Sequence, residues 1–111
     1  MIVGAAAVEL HVHGSQSLKA KRGVVRSIAQ RVRNRFNVSV AEVGGQGTWQ
    51  RATLGLTAAG SEARVVREVL ERALAFIEEL HLAEVAFGDV EILELPWDDG
   101  RDDDPDEEGT D

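Results

Sequence analysis

A chain of 111 residues with 43% apolar side chains is the length of one domain and can bury a core without covalent staples. The absence of cysteine excludes disulfides, thiolate nucleophiles and cysteine-built zinc sites, and suits a reducing compartment. The formal charge of −8 argues against a nucleic-acid partner only if it is read as an average: residues 1–96 hold 11 cations and 11 acids, so the excess lies in residues 97–111, where nine acids face Arg101 alone.

Residues 2–12 alternate as a strand does, with Ile2, Ala6, Val8, Leu10 and Val12 on one side and Val3, Ala5, Ala7, Glu9 and His11 on the other. The apolar run Ile2 to Val8 is too short to span a bilayer and lacks the cationic lead-in of a signal peptide, so the expectation is a cytoplasmic protein with no membrane partner. GSQS (14–17) is a turn in which Ser15 or Ser17 can cap a helix. That helix, SLKAKRGVVRSIAQRVRNRF (17–36), carries Lys19, Lys21, Arg22, Arg26, Arg31, Arg33 and Arg35 and no acid. Leu18, Val25, Ile28, Val32 and Phe36 form its apolar stripe, and Lys19, Arg22, Arg26 and Arg33 fall within an arc of roughly 60° beside that stripe.

NVSVAEV (37–43) reads as a second strand, GGQGT (44–48) as a connection of hairpin length, and WQRATLGLTA (49–58) as a third strand. Gly60-Ser61-Glu62 opens a second helix with Ser61 as its expected cap. Its core stripe is Val65, Val66, Val69, Leu70, Ala73, Leu74, Ile77 and Leu80, and its mixed charges at i,i+4 spacing are those of a solvated structural helix. Residues 85–95 make a fourth strand with a break at Gly88-Asp89, ended by Pro96. Residues 97–111, almost without apolar side chains, read as a disordered acidic tail.

The order β-α-β-β-α-β, with right-handed crossovers, predicts an α+β ferredoxin-like domain over residues 1–96. Its four-stranded antiparallel sheet would run 4-1-3-2, with both helices on one face. The competing arrangement leaves strands two and three as an isolated hairpin. In the first arrangement His13, the GSQS turn, Lys19, Lys21, Arg22, residues 44–47, Trp49 and Arg51 crowd one edge of the domain.

At SLKAKRGVV (17–25), and again at RFNVSVAEV and WQRATLG (35–43 and 49–55), the chain resembles the YlxP-like family of small bacterial proteins of unknown function. The resemblance implies a ferredoxin-like fold and a bacterial cytoplasmic protein. It also implies an association with translation, because genes of that family often sit beside translation and ribosome-maturation genes. No catalytic residue comes with it. The acidic tail departs from the family pattern, as does Gly23, which costs its helix about 1 kcal/mol relative to Ala.

These residues give three functional expectations. The first is a non-enzymatic protein that binds RNA or the ribosome by its phosphate backbone, through Lys19, Lys21, Arg22, Arg26 and Arg33, with Trp49 stacking on a base and Arg51 beside it. Four neutralised phosphates would give a log K against log salt slope of about −3 to −4. The second is a homodimer or protein-interaction domain that uses the open sheet face of Ala5, Ala7, Gly55, Thr57, Leu93 and Leu95, with residues from Trp97 onward as a competing cover. The third, a small-molecule sensor, rests on fold analogy.

No nucleophile has a paired base and no carboxylates are placed for acid–base work, so no enzyme is expected. Glu9, His11 and His13 alternate along strand one, but a strand sets its side chains too far apart for a zinc site, and no third strong ligand is spaced to help. Cross-strand pairing of His11 and Glu9 with Arg51 is the plainer expectation, with His81 at the far end of the sheet, and no metal or cofactor is expected. The tail either solubilises the protein or competes with nucleic acid for the basic helix.

Overall fold

The computed structural model describes residues 1–45 and 48–96. In chain order it comprises β1 (Ile2–His11), α1 (Leu18–Arg35), β2 (Ser39–Gly44), β3 (Arg51–Gly60), α2 (Ala63–Leu80), β4 (Glu84–Phe87) and β5 (Glu91–Glu94). The expected tail and the Trp97 cover lie outside the described residues.

The strands form one antiparallel sheet in the order β2-β3-β1-β4, with β5 also on β1. β4 pairs with residues 8–11 of β1 and β5 with residues 2–5, so together they are one interrupted edge strand. The architecture is therefore ferredoxin-like βαββαβ in the order 4-1-3-2, and the isolated hairpin is excluded because β3 pairs with β1 along its whole length. The break has a local cause. Between Phe87 and Glu91 three residues face only two of β1, and the extra length is absorbed by Val90, which turns inward and is buried. Arg67 of α2 donates to the Val90 carbonyl at 3.4 Å and holds the bulge against the helix layer.

Alternation along β1 and β3 sets Val8, Leu10, Leu54 and Leu56, all at most 1% exposed, toward the helices. Val25, Ile28 and Val32 of α1 and Val66, Leu70, Ala73, Leu74 and Ile77 of α2 close over them. Close approach is possible because β1 has Gly4 beneath α2: a Cβ there would meet Leu70 Cδ1 and Val66 Cγ1, each at 2.6 Å. Phe36 and Phe76 meet edge to face at 5.5 Å, with Arg35 over Phe76 at 5.0 Å, tying the end of α1 to α2.

Ser17 is the cap of α1, its Oγ accepting from the Ala20 amide at 3.0 Å, while Ser15 is buried and donates to the Ser17 carbonyl. Three expectations about elements are corrected. Glu62, not Ser61, is the N-cap of α2 and makes no side-chain cap bond. Val65 is 48% exposed rather than part of the core, because it lies on the solvent side of the stripe set by Val66, Leu70, Ala73 and Ile77. Trp49 precedes β3 instead of opening it.

Candidate polyanion-binding surface

β1 ends, α1 begins and β3 starts at one end of the sheet, where His11 faces Arg51 in register and the Val12 amide donates to the Gln50 carbonyl at 2.7 Å. The expected crowding of His13, the GSQS turn and the two ends of the β2–β3 connection is thus present, residues 46 and 47 of that expectation lying outside the described residues. Their division of labour differs from expectation.

Lys21 is the principal correction. It is fully buried, and its Nζ donates to the Gly45 carbonyl at 2.6 Å and the Arg51 carbonyl at 3.0 Å, with Glu42 Oε2 at 3.9 Å. Glu42 faces the helix layer because β2 pairs it with Leu54, an inward residue. Lys21 therefore ties α1 to both ends of the β2–β3 connection and offers nothing to a ligand. Gly45 is suited to this arrangement by its φ of +79°, and a Cβ there would meet the Arg51 carbonyl oxygen at 2.6 Å.

Arg33 is also engaged within the fold, donating to the Val40 carbonyl at 2.6 Å. Among the described residues β2 pairs only with β3, so its outer backbone groups form a sheet edge, and Arg33 covers one of them. This contact sets the Arg33 end of the 60° arc over the β2 edge. Lys19, Arg22 and Arg26 of the same arc are exposed and make no hydrogen bond or ion pair among the described residues. Between Glu9 and Glu42 the chain contains no acid. On the other flank of α1 a shallow groove is lined by Ser17, Lys19, Ala20, Gly23, Val24 and Leu82. Gly23 faces open space there, with nothing within 4 Å of the position a Cβ would take.

Trp49 is 57% exposed in the β2–β3 connection. Arg51 lies on the opposite face of the sheet from α1, where it shares a hollow with Glu9, His11 and Glu84. The seven residues expected to bind nucleic acid thus divide into an exposed row (Lys19, Arg22, Arg26), two cations engaged by the fold (Lys21, Arg33), and a separate pair at the sheet end (Trp49, Arg51).

The open sheet face carries Ala5, Ala7, Thr57 and Leu93 exposed, with Gly55 and Leu95 half-buried. Val43, the extra residue of a bulge in β2, covers Gly55 and is itself 60% exposed.

The histidines required a register that no local pattern carries. Glu84 opens β4 directly opposite His11, and His13, two residues further on in the turn that follows β1, stands beside His11 with the ring centroids 4.1 Å apart. His13 Nε2 is 2.5 Å from Glu84 Oε1, and His11 Nδ1 is 3.8 Å from the same oxygen. Hydrogen bonding and charge attraction from His13, with a smaller attraction from His11, hold the Glu84 carboxyl below its ordinary range against slight desolvation. The partner of His11 is therefore Glu84 rather than Arg51. His81, three residues before β4, lies at this same end of the sheet and not at the far one.

Residues 3–90 match the family described as "Protein of unknown function (DUF503)". The chain is also similar to the uncharacterized protein YlxP of Bacillus subtilis (strain 168), with 43% identity over 77 residues, 69% of this chain and 84% of that protein.

Proposed function

From a chain that belongs to this family of unknown function, and so inherits no activity by name, we propose a non-enzymatic RNA-binding protein that grips the phosphate backbone, free or on the ribosome, with the exposed face of α1. The observation that carries the reading is the row Lys19, Arg22 and Arg26, exposed, adjacent and unmatched by any acid among the described residues.

The position of that row strengthens the reading. Lys19 and Arg22 stand in the first turns of α1, whose opening turn contains no acid. A helix N-terminus carries partial positive charge, so a cation in the first turn, such as Lys19, costs the fold about 0.3–1 kcal/mol, and one in the second turn, such as Arg22, less. Lys21 offsets its own cost through two carbonyls and Glu42. Lys19 and Arg22 have no such compensation, whereas a bound phosphate would supply it, assisted by the free amides of the helix end. α2 shows the usual solution for an exposed helix, mixed charges such as Arg64 and Glu68 at 3.4 Å.

The test is the triple variant Lys19→Glu, Arg22→Glu, Arg26→Glu. Acids suit a helix N-terminus, so the fold should persist. Affinity for a structured RNA, measured by fluorescence anisotropy at fixed salt, and co-sedimentation with ribosomes should fall by roughly tenfold or more. Undiminished binding would sink the reading. With three cations free rather than four, the expected salt slope becomes about −2 to −3.

A second reading, self-association through the open sheet face, is favoured by one observation. Leu93 and Val43 stand 58% and 60% exposed on that face amid small side chains. Leu93→Glu should shift a dimer to monomer in sedimentation velocity and leave RNA affinity unchanged.

A further inference from the structure

We propose that His11, His13 and Glu84 form a binding site for a divalent transition-metal ion of the zinc class, at the end of the sheet where β1 meets β4. Two imidazole nitrogens and one carboxylate oxygen are the donor set that zinc and its neighbours favour, and hard cations such as Mg²⁺ do not select it.

The fold assembles the three donors from two strands and a turn. β1 supplies His11 in its last position, the turn that follows holds His13 beside it, and β4 begins with Glu84 across the ladder. All three donor atoms lie within 4.8 Å of one another. A tetrahedral ion bonded at about 2.0–2.1 Å holds its ligand atoms roughly 3.3 Å apart. The 2.5 Å contact between His13 and Glu84 would open by a little under about 1 Å and the longer separations would close by at most about 1.5 Å, which is a side-chain rotation rather than a backbone movement.

The remaining coordination position faces outward, since His13 and Glu84 are about two-thirds exposed, and it would be filled by water. No second hydrogen bond from either imidazole backs the site among the described residues, so binding should be micromolar rather than nanomolar. The site does not depend on the polyanion surface. It lies on β1 and β4, and none of its donors belongs to α1.

The test is calorimetric titration of the chelator-treated full-length protein with Zn²⁺, together with Co²⁺ absorption to report coordination geometry. One saturable site per chain is expected. His13→Ala, in an exposed turn, and Glu84→Gln, which keeps its shape, should each weaken it by roughly tenfold or more. His81→Asn should leave it unchanged: His81 shares this end of the sheet but lies outside the donor cluster, and Asn tolerates its left-handed backbone, φ 54°. Absence of a saturable Zn²⁺ site, or a site equally strong in His13→Ala and Glu84→Gln, would overturn the proposal.

Discussion

Lys21 shows how the position of a residue can outweigh its type. It stands with Val25, Ile28 and Val32 at the spacing i, i+4, i+7, i+11, so it belongs to the buried side of α1 although its charge groups it with the exposed cations. A buried ammonium is tolerated only with donors and acceptors matched, and here two backbone carbonyls and a carboxylate do the matching. Lys21→Met keeps the stem but strands those acceptors. It should lower unfolding stability by about 2–4 kcal/mol in urea titration, whereas Lys19→Met should not lower it and should raise it by at most about 1 kcal/mol. RNA affinity per folded molecule should be unaltered in Lys21→Met, since the residue is out of reach of a ligand. Glu84 gives the complementary case at the surface. Its carboxyl is held below the ordinary range, so its contribution is complete above that range, about pH 4.3, and is lost as pH falls through the lowered value. In metal-free buffer the stability difference between the wild type and Glu84→Gln should therefore be present at pH 5 and shrink steadily toward pH 3. A difference that grew on acidification would contradict the sign.

At the scale of elements, α1 opens with charge that works against its own dipole, while Arg33 and Arg35 in its last turn work with it. Replacing Lys19 by Glu should stabilise the domain by about 0.3–1 kcal/mol, and Arg22→Glu, in the second turn, by less, while both weaken RNA binding, a trade between stability and function that chemical denaturation and anisotropy measure separately. Gly23→Ala should add about 0.5–1 kcal/mol, since nothing obstructs a methyl group there. The opposite sign is expected at Gly4, where Ala would push against Leu70 and Val66 and cost about 1–3 kcal/mol. These elements were mostly legible in advance. Period-two alternation in β1 and β3 and period-3.6 stripes in α1 and α2 are local signals, and with short right-handed connections they leave few topologies open. What escaped was set by contacts between distant residues. Lys21 looked free because its partners are backbone carbonyls of the β2–β3 connection, which no side-chain pattern announces. Glu84 reaches His11 and His13 only through the β1–β4 register, across more than seventy residues of sequence. The 21-25-28-32 spacing, taken ahead of charge type, places Lys21 on the buried side of α1 from the helix alone.

Across the whole molecule, charge is sorted more sharply than composition suggests. Residues 1–96 balance, α1 concentrates cations, and the excess acid lies in residues 97–111. A polyanionic segment covalently joined to a cationic surface competes with any external polyanion at an effective concentration near millimolar for short linkers, and it does so without needing a defined structure. Removing residues 98–111 should therefore tighten RNA binding. The gain should be largest at low salt and vanish as the Debye length falls toward about 3 Å near 1 M. The salt slope supplies the internal check. If the tail occupies some of the same cations, its deletion should steepen the dependence toward the value for three free phosphate contacts, because counterions then replace the tail as the species released. Unchanged affinity and an unchanged slope after deletion would mean that the tail never meets α1. The acid would then act on solubility alone, by keeping net charge away from zero around an otherwise neutral domain.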